Sequence, residues 1–322
     1  WDFKGFLSIM GMVLMAESEI DLAIIGSGPS GIASAIYAVR KNLTVRVFES
    51  EALGGQSALA IFIENYPGFK KIEGAKLMDA WADHLKEFGV EVEEANGIES
   101  VKKAGTGFEL VTEGKETLKA KAVLIVTGTE NKRLGIKGEK ELYGKGISYC
   151  ANCDGPIYKG KKVAVIGGGN SGVTNALFLE EIATETTIVE FMPKLNCDEI
   201  YLPRLEKSKI TVHLNTEAVE VLGKDRVEGL KVKDRTSGEE KKIEIGGLFI
   251  YAGLEPRNKI AKELGCELDE KGFIKIEKNN STSIEGVFAA GDIGSGALAQ
   301  TVWAAGDGAK AALGVYAFLR KK

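Results

Sequence analysis

The sequence predicts an α/β protein with two Rossmann-like nucleotide-binding domains. The pattern of strand, G-x-G-x-x-G, helix, strand and acid occurs at residues 26–31 with Glu49, and again at residues 167–172 with Glu190. The first glycine and the acid are 23 positions apart in both copies (26 to 49 and 167 to 190). Because two chance occurrences with one spacing are improbable, we interpret the repeat as two domains of the same kind.

The composition of the chain fits that architecture. Its 322 residues leave room for about two domains, and 40 glycines with 44% hydrophobic residues are typical of an α/β protein with many tight turns. The formal charge of −4 gives no reason to expect a nucleic-acid partner. Four cysteines are too few for a disulfide scaffold, and this usage suits a reducing cytoplasm.

Residues 1–17 are treated as a leader of uncertain status. The apolar run over 6–15 is far shorter than the roughly 20 residues that cross a bilayer, and it lacks a clean small-x-small cleavage site. Met10, Met12 and Met15 each offer an alternative start. We therefore expect no membrane association, and the fold is predicted to begin near Glu17.

The first glycine-rich motif has the surroundings that dinucleotide binding requires. Residues 20–25 are predicted as a buried parallel strand, 32–41 as a helix and 44–48 as the next strand. The first two glycines allow a tight turn close to a pyrophosphate, and the third lets the helix pack against the strand. The helix N-terminus then faces the anion, and Glu49 is placed to bind ribose hydroxyls.

Further elements are predicted in order along the chain. An apolar face predicts a helix over 77–88, alternation predicts antiparallel strands within 90–121, and 122–126 is a buried strand. The second motif lies between strands at 162–166 and 187–189, with its helix over 173–182. Later strands are predicted at 210–214, 218–222, 227–232, 242–245, 247–253, 273–276 and 286–290, before a helix over 300–320.

A cysteine pair followed by an acid lies between the two motifs, in Tyr149-Cys150-Ala151-Asn152-Cys153-Asp154-Gly155. Cys-x-x-Cys spacing allows a small disulfide ring and can lower the pKa of one thiol. The neighbouring acid could protonate a departing thiolate or accept its proton. This pattern predicts a redox-active dithiol that receives electrons from a bound cofactor, and two adjacent nucleotide sites disfavour a purely structural disulfide.

No metal site is predicted. A zinc site built on the cysteine pair would need two more ligands at suitable spacing. The other candidate ligands are scattered single residues, namely Cys197, Cys266, His84 and His213.

The order of these motifs resembles that of the low-molecular-weight thioredoxin reductases, over roughly Glu19 to the C-terminus. A cysteine pair inside the second nucleotide domain is the most specific part of the resemblance. The matching motifs are Gly26-x-Gly28-x-x-Gly31, Gly54-Gly55-Gln56, Asn65-Tyr66-Pro67-Gly68, Thr127-Gly128, Cys150-x-x-Cys153-Asp154, the second glycine motif and Gly291-Asp292.

The resemblance implies two three-layer ββα domains, the second inserted into the first. An FAD domain would comprise residues 18–127 and 248–322, and a pyridine-nucleotide-type domain with the cysteine pair would comprise 128–247. FAD contacts are implied for Gly26, Gly28, Gly31, Glu49, Gly55, Gln56, Asn65, Gly128, Asp292 and Gln300. Pyridine-nucleotide contacts are implied for Gly167, Gly169, Asn170, Ser171, Gly172 and Glu190.

The resemblance also implies a mechanism for a homodimeric enzyme. Electrons would pass from reduced flavin to the Cys150–Cys153 disulfide and on to thioredoxin or a similar protein. Cys150 would attack the partner's disulfide, Cys153 would lie nearer the flavin, and Asp154 would act as general acid and base. A rotation between the two domains is predicted, because the dithiol has to meet first the flavin and then the partner.

The second nucleotide site departs from the family. NADPH-using members carry a His-Arg-Arg cluster after the second strand, whereas this chain has Glu190-Phe191-Met192-Pro193-Lys194, with Lys194 as the lone nearby cation. Val173 and Thr174 stand where the family usually has Ala and then Glu.

An acid at the ribose position repels a 2′-phosphate, so NADH is favoured over NADPH. Three alternatives remain open. Lys194 could partly serve as a phosphate partner and allow weak use of NADPH. Electrons could come from ferredoxin or a reduced deazaflavin, with neither nucleotide used. A dithiol oxidase, which passes electrons to oxygen, would have the same fold and the same cysteines.

Overall fold

The computed structural model of the protein describes residues 19–321, so the predicted leader lies outside the described residues. The strands are β1 (Ile20–Ile25), β2 (Val45–Phe48), β3 (Val92–Glu93), β4 (Ile98–Ala104), β5 (Gly107–Thr112), β6 (Thr117–Ile125), β7 (Thr129–Asn131), β8 (Ile147–Ser148), β9 (Lys162–Ile166), β10 (Glu185–Val189), β11 (Thr211–His213), β12 (Thr216–Leu222), β13 (Gly229–Asp234), β14 (Glu240–Ile243), β15 (Gly247–Ile250), β16 (Leu254–Pro256) and β17 (Val287–Ala289). The α-helices are α1 (Pro29–Val39), α2 (Gly55–Ala58), α3 (Gly74–Lys86), α4 (Ala151–Asp154), α5 (Asn170–Glu180), α6 (Leu202–Glu206), α7 (Lys259–Glu263) and α8 (Thr301–Leu319). Short 3₁₀ turns occur at Gly155–Tyr158, Glu199–Tyr201 and Gly291–Ile293.

The described chain forms two compact units. The first combines residues 19–129 with 256–321, and the second contains 130–255. The resemblance placed the return to the first domain at residue 248, whereas the structure places it at Pro256. The reason is that β15 pairs with β9 and therefore belongs to the sheet of the second unit. The two segments that cross between the units carry β7 and β16, which pair with each other.

The first unit is built on a sheet of seven strands within the described residues, in the order β3-β2-β1-β6-β5-β4 with β17 also beside β6. β3, β2, β1, β6 and β17 run parallel, whereas β4, β5 and β6 pair antiparallel, as the alternation over 90–121 predicted. β6 pairs with β5 through its first residues and with β17 through its last ones. This arrangement confirms the predicted Rossmann-like fold.

Both faces of that sheet are covered. Leu22 and Ile24 of β1 pack in one core cluster with α1 and α8, whereas Ala23 and Ile25 pack in a second cluster with α7. Successive residues of a strand point to opposite faces, so a strand covered on both sides needs a continuous apolar run. The run of residues 20–25 satisfies that requirement, with Asp21 as its one charged residue.

The second unit contains a parallel sheet of five strands within the described residues, in the order β11-β10-β9-β15-β8. A separate antiparallel sheet is formed by β12, β13 and β14. α5 packs against β9 and β10. Because the five strands are parallel, the segments that follow β8, β15, β9 and β10 all leave the sheet at the same edge.

One predicted strand is wrong. Residues 273–276 form no ladder, and Ile274 makes only isolated bridges to Leu268 and Gly294. Its side chain is fully buried in the first unit, so the alternation in this segment reflects burial of one side chain and not sheet pairing. None of the helices between residues 19 and 321 combines the length and apolarity that a membrane crossing needs.

Replacing Gly308 by alanine is expected to lower the free energy of unfolding by about 1–3 kcal/mol, because the new Cβ would overlap the backbone of Ser30 where α8 crosses α1. Gly306 is the matched control, since it is exposed on the same helix and a Cβ there would meet open space. Gly306→Ala should therefore raise stability by about 0.5–1 kcal/mol. Denaturant titrations measure the free energy of unfolding of both variants. Equal values for Gly308→Ala and Gly306→Ala would contradict the prediction.

Candidate active site

The residues predicted to bind FAD all lie in the first unit. Several lie within three residues of the carboxyl ends of parallel strands: Gly26 follows β1, Glu49 follows β2, Gly128 follows β6 and Asp292 follows β17. In an open α/β sheet this edge is where ligands bind. Pairing between distant strands therefore brings together residues that lie far apart in the sequence.

The three glycines of the first motif have different environments. A Cβ atom at Gly26 would collide with the carbonyl oxygen of Val126, and one at Gly31 would collide with the carbonyl oxygen of Gly26. The protein's own packing therefore excludes side chains at those two positions. A Cβ at Gly28 would have no atom of the described residues within 4 Å, so this side of the turn is open for the close approach of a ligand.

Glu49 is held against the same turn. One carboxylate oxygen accepts hydrogen bonds from the backbone N–H of Ser27 at 2.8 Å and from its hydroxyl at 2.9 Å. The other oxygen accepts from the N–H of Glu51 at 3.0 Å. Glu49 is only 8% exposed, so its carboxylate has a fixed orientation at the end of β2, where an acid can receive ribose hydroxyls.

Asp292 provides a test of whether FAD fits these residues. Its Oδ1 is buried and has no hydrogen-bond partner among residues 19–321, and burial raises the pKa of the carboxyl group to about 6. Buried polar atoms almost always have a partner, so Asp292 lacks a donor that a bound group would supply. Hydroxyl groups such as those of a flavin dinucleotide are suitable donors. The residues therefore fit FAD.

Other predicted FAD residues are brought together from distant segments. The amide of Asn65 donates to the side-chain oxygen of Gln300 at 2.7 Å, and Gln300 immediately precedes α8. A Cβ at Gly55 would lie 3.4 Å from the Cα of Gly28, so the Gly54–Gly55 segment packs on the first glycine motif of the same unit. Gln56 lies in the short helix α2 and donates to the carbonyl of Thr129 at 3.4 Å.

Sequence reasoning missed Asp307 of α8. This buried carboxylate accepts a hydrogen bond from the N–H of Gly291 at 2.9 Å and pairs with Lys310 at 3.0 Å. It thereby holds the turn that carries Asp292. No motif pointed to Asp307, because its partner lies in a segment that only the tertiary structure brings near α8.

The second glycine motif repeats the arrangement of the first. A Cβ at Gly167 would collide with the carbonyl of Tyr251, and one at Gly172 would collide with the carbonyl of Gly167. Gly169 is again open, with only the carbonyl of Asn196 at 4.0 Å from the position of a Cβ. The open glycine is thus the second of the motif in both units, as the approach of a pyrophosphate requires.

Glu190 occupies the position that corresponds to Glu49 and is equally buried, at 8% exposure. Its carboxylate accepts hydrogen bonds from the N–H groups of Gly168 and, at 2.7 Å, of Met192. The side-chain oxygen of Asn170 accepts a hydrogen bond from the backbone N–H of Asp198 at 2.7 Å. The carbonyl oxygen of Ser171 accepts a hydrogen bond from the side-chain amide of Asn175, within α5.

The structure adds a cation that sequence reasoning missed. Lys194 was the lone nearby cation in the sequence, but Arg235 stacks on the ring of Phe191, with its guanidinium carbon 3.6 Å from the ring centroid. Arg235 also donates to the carbonyl of Phe191 at 3.0 Å. A guanidinium group therefore lies beside the residue that follows Glu190, although the two segments are 44 positions apart.

The cysteine pair begins two residues after the end of β8, at the edge of the sheet that also carries the second glycine turn. Cys150 and Cys153 are joined by a disulfide, with their Cα atoms 5.3 Å apart, as the spacing predicted. The backbone N–H of Cys153 points at the sulfur of Cys150, at 3.1 Å. The N-terminal sulfur therefore has a donor that could stabilise a thiolate.

Ser148 connects the cysteine pair to Asp154 and was not identified from the sequence. Its hydroxyl donates to the Asp154 carboxylate at 2.6 Å and accepts from the N–H of Cys150 at 3.0 Å. The residue that precedes the cysteine pair, Tyr149, donates to the buried Glu139 at 2.7 Å, and burial raises the pKa of Tyr149 well above its usual value. Asp154, the predicted general acid and base, is thus held in a fixed position beside the cysteine pair.

The remaining cysteines and histidines stay separate. Burial raises the pKa of the Cys197 and Cys266 thiols, and burial together with Lys241 lowers the pKa of His213. His84 lies on α3 with its ring against Phe88. Within residues 19–321, no three His, Cys, Asp or Glu side chains converge where a metal ion could bind.

Comparisons with known proteins agree with this geometry. The pyridine nucleotide-disulphide oxidoreductase family matches residues 20–308. A thioredoxin reductase of Bacillus subtilis is 38% identical over 310 residues, which are 95% of this chain and 97% of the relative. An NADH dehydrogenase of the same bacterium is 38% identical over 304 residues, but the chain spans only 59% of that relative's length. The crystal structure of T. acidophilum thioredoxin reductase has 44% identity and a TM-score of 0.90, over 93% of this chain and 98% of that one.

Asp292→Asn is expected to stabilise the FAD-free protein at pH 7.5. The pKa of Asp292 is about 6 in the folded protein, whereas its ordinary value is 3.8. The folded protein therefore binds this proton more tightly than the unfolded chain does. Above pH 6, ionisation of Asp292 lowers the free energy of unfolding by about 3 kcal/mol. That cost falls as the pH drops through 6 and is absent below about pH 4.

Thermal melts of the apoprotein and of Asp292→Asn at several pH values check this prediction. Asp83→Asn, a change at an exposed acid of α3, is the control. A stabilisation that stayed the same at pH 4 would show that the buried charge is not its cause.

Proposed function

The chain belongs to the pyridine nucleotide-disulphide oxidoreductase family, and from that premise we propose that it is a thioredoxin-disulfide reductase. The observation that carries the proposal is the Cys150–Cys153 disulfide, with Asp154 held by Ser148 beside it. Relatives named thioredoxin reductase also match this chain over nearly their whole length. The substrate would therefore be a protein disulfide, on thioredoxin or a similar protein.

FAD, when bound by the first unit, supplies the two electrons that open the disulfide. The residues of the turn then determine which sulfur reacts. The N–H of Cys153 favours negative charge on Cys150, so Cys150 is the proposed nucleophile. Its thiolate attacks one sulfur of the substrate disulfide, a new S–S bond forms, and the other substrate sulfur leaves as a thiolate.

Cys153 completes the exchange. It attacks the Cys150 sulfur of the mixed disulfide, which restores the Cys150–Cys153 bond and releases the second substrate thiolate. Asp154 is proposed to take the proton from the attacking thiol and to give it to the departing thiolate. The hydrogen bond from Ser148 orients the Asp154 carboxylate for this role, since it fixes one of its two oxygens.

We propose NADH as the electron donor. Glu190 already accepts two backbone hydrogen bonds, but its oxygens retain lone pairs for the ribose hydroxyls of NADH. A 2′-phosphate would face this carboxylate and be repelled. Arg235 on Phe191 offsets part of that repulsion, so we expect NADPH to bind weakly.

A reducing cytoplasm is the proposed compartment, and a homodimer the proposed assembly. Cys197 and Cys266 remain free thiols, which suits a compartment where thiols stay reduced. The homodimer rests on the resemblance to the reductase family.

Cys150→Ser should retain FAD and lose reduction of thioredoxin down to the uncatalysed background, because the proposed nucleophile is absent. Cys197→Ser is the matched control in the same unit and should stay close to the parent rate, since that cysteine lies outside the turn. Flavin absorbance and a thioredoxin reduction assay measure the two properties. Reduction at the parent rate by Cys150→Ser would refute the mechanism.

NADH should bleach the flavin absorbance under anaerobic conditions faster than NADPH. Glu190→Gln should narrow that difference by about tenfold, because it removes the repelling charge and keeps the side-chain shape. Glu199→Gln, a change at an exposed acid of the same unit, is the control.

Failure of both nucleotides would reject the nucleotide donor and favour ferredoxin or a reduced deazaflavin. Rapid oxygen uptake with a small dithiol and no nucleotide would instead identify a dithiol oxidase.

A further inference from the structure

Tyr251 contacts the redox-active turn from a distant part of the chain. Its hydroxyl accepts a hydrogen bond from the backbone N–H of Ala151 at 2.9 Å, although the two residues are 100 positions apart. Ala151 is fully buried, so its N–H depends on this protein acceptor. We infer that Tyr251 is a positioning residue for the dithiol, which holds Cys150 in the orientation that stabilises its thiolate.

The backbone of Tyr251 is fixed immediately after the neighbouring strand β15. β15 lies between β8, which leads to the cysteine turn, and β9, which leads to the second glycine turn. The N–H of Tyr251 donates to the carbonyl of Ile166 at 2.8 Å, and its own carbonyl packs against Gly167. The hydroxyl therefore reaches the turn from a backbone position that the parallel sheet constrains.

The contact bears directly on the chemistry of Cys150. Ala151 is the first residue of α4, and Cys150 immediately precedes it. The peptide between these two residues also sets the direction of the Cys150 side chain. Holding its N–H keeps the Cys150 sulfur in line with the N–H of Cys153, which lies at 3.1 Å.

This alignment matters in the reduced protein. Two electrons and two protons convert the disulfide into two thiols, and loss of the proton from Cys150 then leaves a thiolate facing the N–H of Cys153. A charge-assisted hydrogen bond of this kind lowers the pKa of a thiol. If the tyrosine hydroxyl is removed, the buried N–H of Ala151 loses its acceptor and the turn can relax away from this geometry.

Several ionisable groups surround the turn. Asp154 is held by Ser148, Tyr158 follows in the next turn, and Tyr149, which donates to Glu139, precedes Cys150. Burial and the charge of Asp154 raise the pKa of both Tyr158 and Tyr251, so both phenols stay neutral near pH 7. Tyr158 therefore matches Tyr251 in being a neutral phenol near Asp154, although it is buried and Tyr251 is half-buried, and no hydrogen bond joins its hydroxyl to Ala151 within the described structure.

Tyr251→Phe is the test, with Tyr158→Phe as the matched control. Each protein is reduced under anaerobic conditions and freed of reductant. Iodoacetamide is then added between pH 5 and 9, and mass spectrometry follows alkylation of Cys150. We expect the midpoint of the pH profile for alkylation of Cys150 to shift upward by about one unit in Tyr251→Phe, so that alkylation below this midpoint is up to about tenfold slower. Tyr158→Phe should stay within about twofold of the parent protein.

An unchanged pH profile in Tyr251→Phe, or an equal shift in both variants, would overturn the inference. Cys197 and Cys266 serve as internal references in every sample, because they lie outside the turn. If Tyr251→Phe does not fold, amide hydrogen exchange of the unaltered protein replaces it. Ala151 should then exchange far more slowly than a solvent-exposed amide, and rapid exchange would overturn the inference.

The inference rests on the proposed disulfide-reductase function, but the two can fail separately. Alkylation needs no flavin, nucleotide or thioredoxin, so it reports only on the Cys150 thiolate. A parent protein that does not reduce thioredoxin would refute the function and leave the role of Tyr251 intact. If the parent protein reduces thioredoxin while Tyr251→Phe keeps the parent pH profile, the role of Tyr251 would be refuted and the proposed function would stand.

Discussion

Parallel strand pairing is the constraint on which both candidate sites depend. In each unit the strands around the glycine turn run in the same direction, so the segments that follow them meet at one edge. In the first unit this edge collects Gly26, Glu49, Gly128 and Asp292. In the second it collects the glycine turn, the acid and the cysteine pair. Without the parallel register, these residues would be scattered.

The acids beside the two glycine turns, Glu49 and Glu190, accept different numbers of hydrogen bonds from the protein. Glu49 receives both the N–H and the hydroxyl of Ser27, whereas the corresponding position beside Glu190 is Gly168, which offers only its N–H. A side chain at Gly168 would press on Leu195 and on Glu190 itself. The carboxylate of Glu190 therefore keeps more free lone pairs for a ligand than that of Glu49. Arg235, stacked on Phe191, supplies a neighbouring positive charge.

The redox-active turn is too short to position its own side chains. α4 spans only Ala151–Asp154, and a single helical turn contributes few internal hydrogen bonds. Hydroxyl groups from the sheet supply the missing contacts: Ser148 holds Asp154 and the N–H of Cys150, and Tyr251 holds the N–H of Ala151. The reactivity of the cysteine pair thus depends on residues outside the Cys-x-x-Cys motif.

The sequence by itself determined the features that depend on local order: both strand–glycine–helix motifs, the acids that follow them and the close cysteine pair. Each needs only neighbouring residues with the right backbone freedom, polarity or spacing. The tertiary structure alone decided the return of the chain at Pro256, the absence of a strand over 273–276, and the contacts of Asp307, Arg235 and Tyr251. Those contacts join segments as far as 100 positions apart, and sheet pairing, which no local pattern encodes, sets which segments meet.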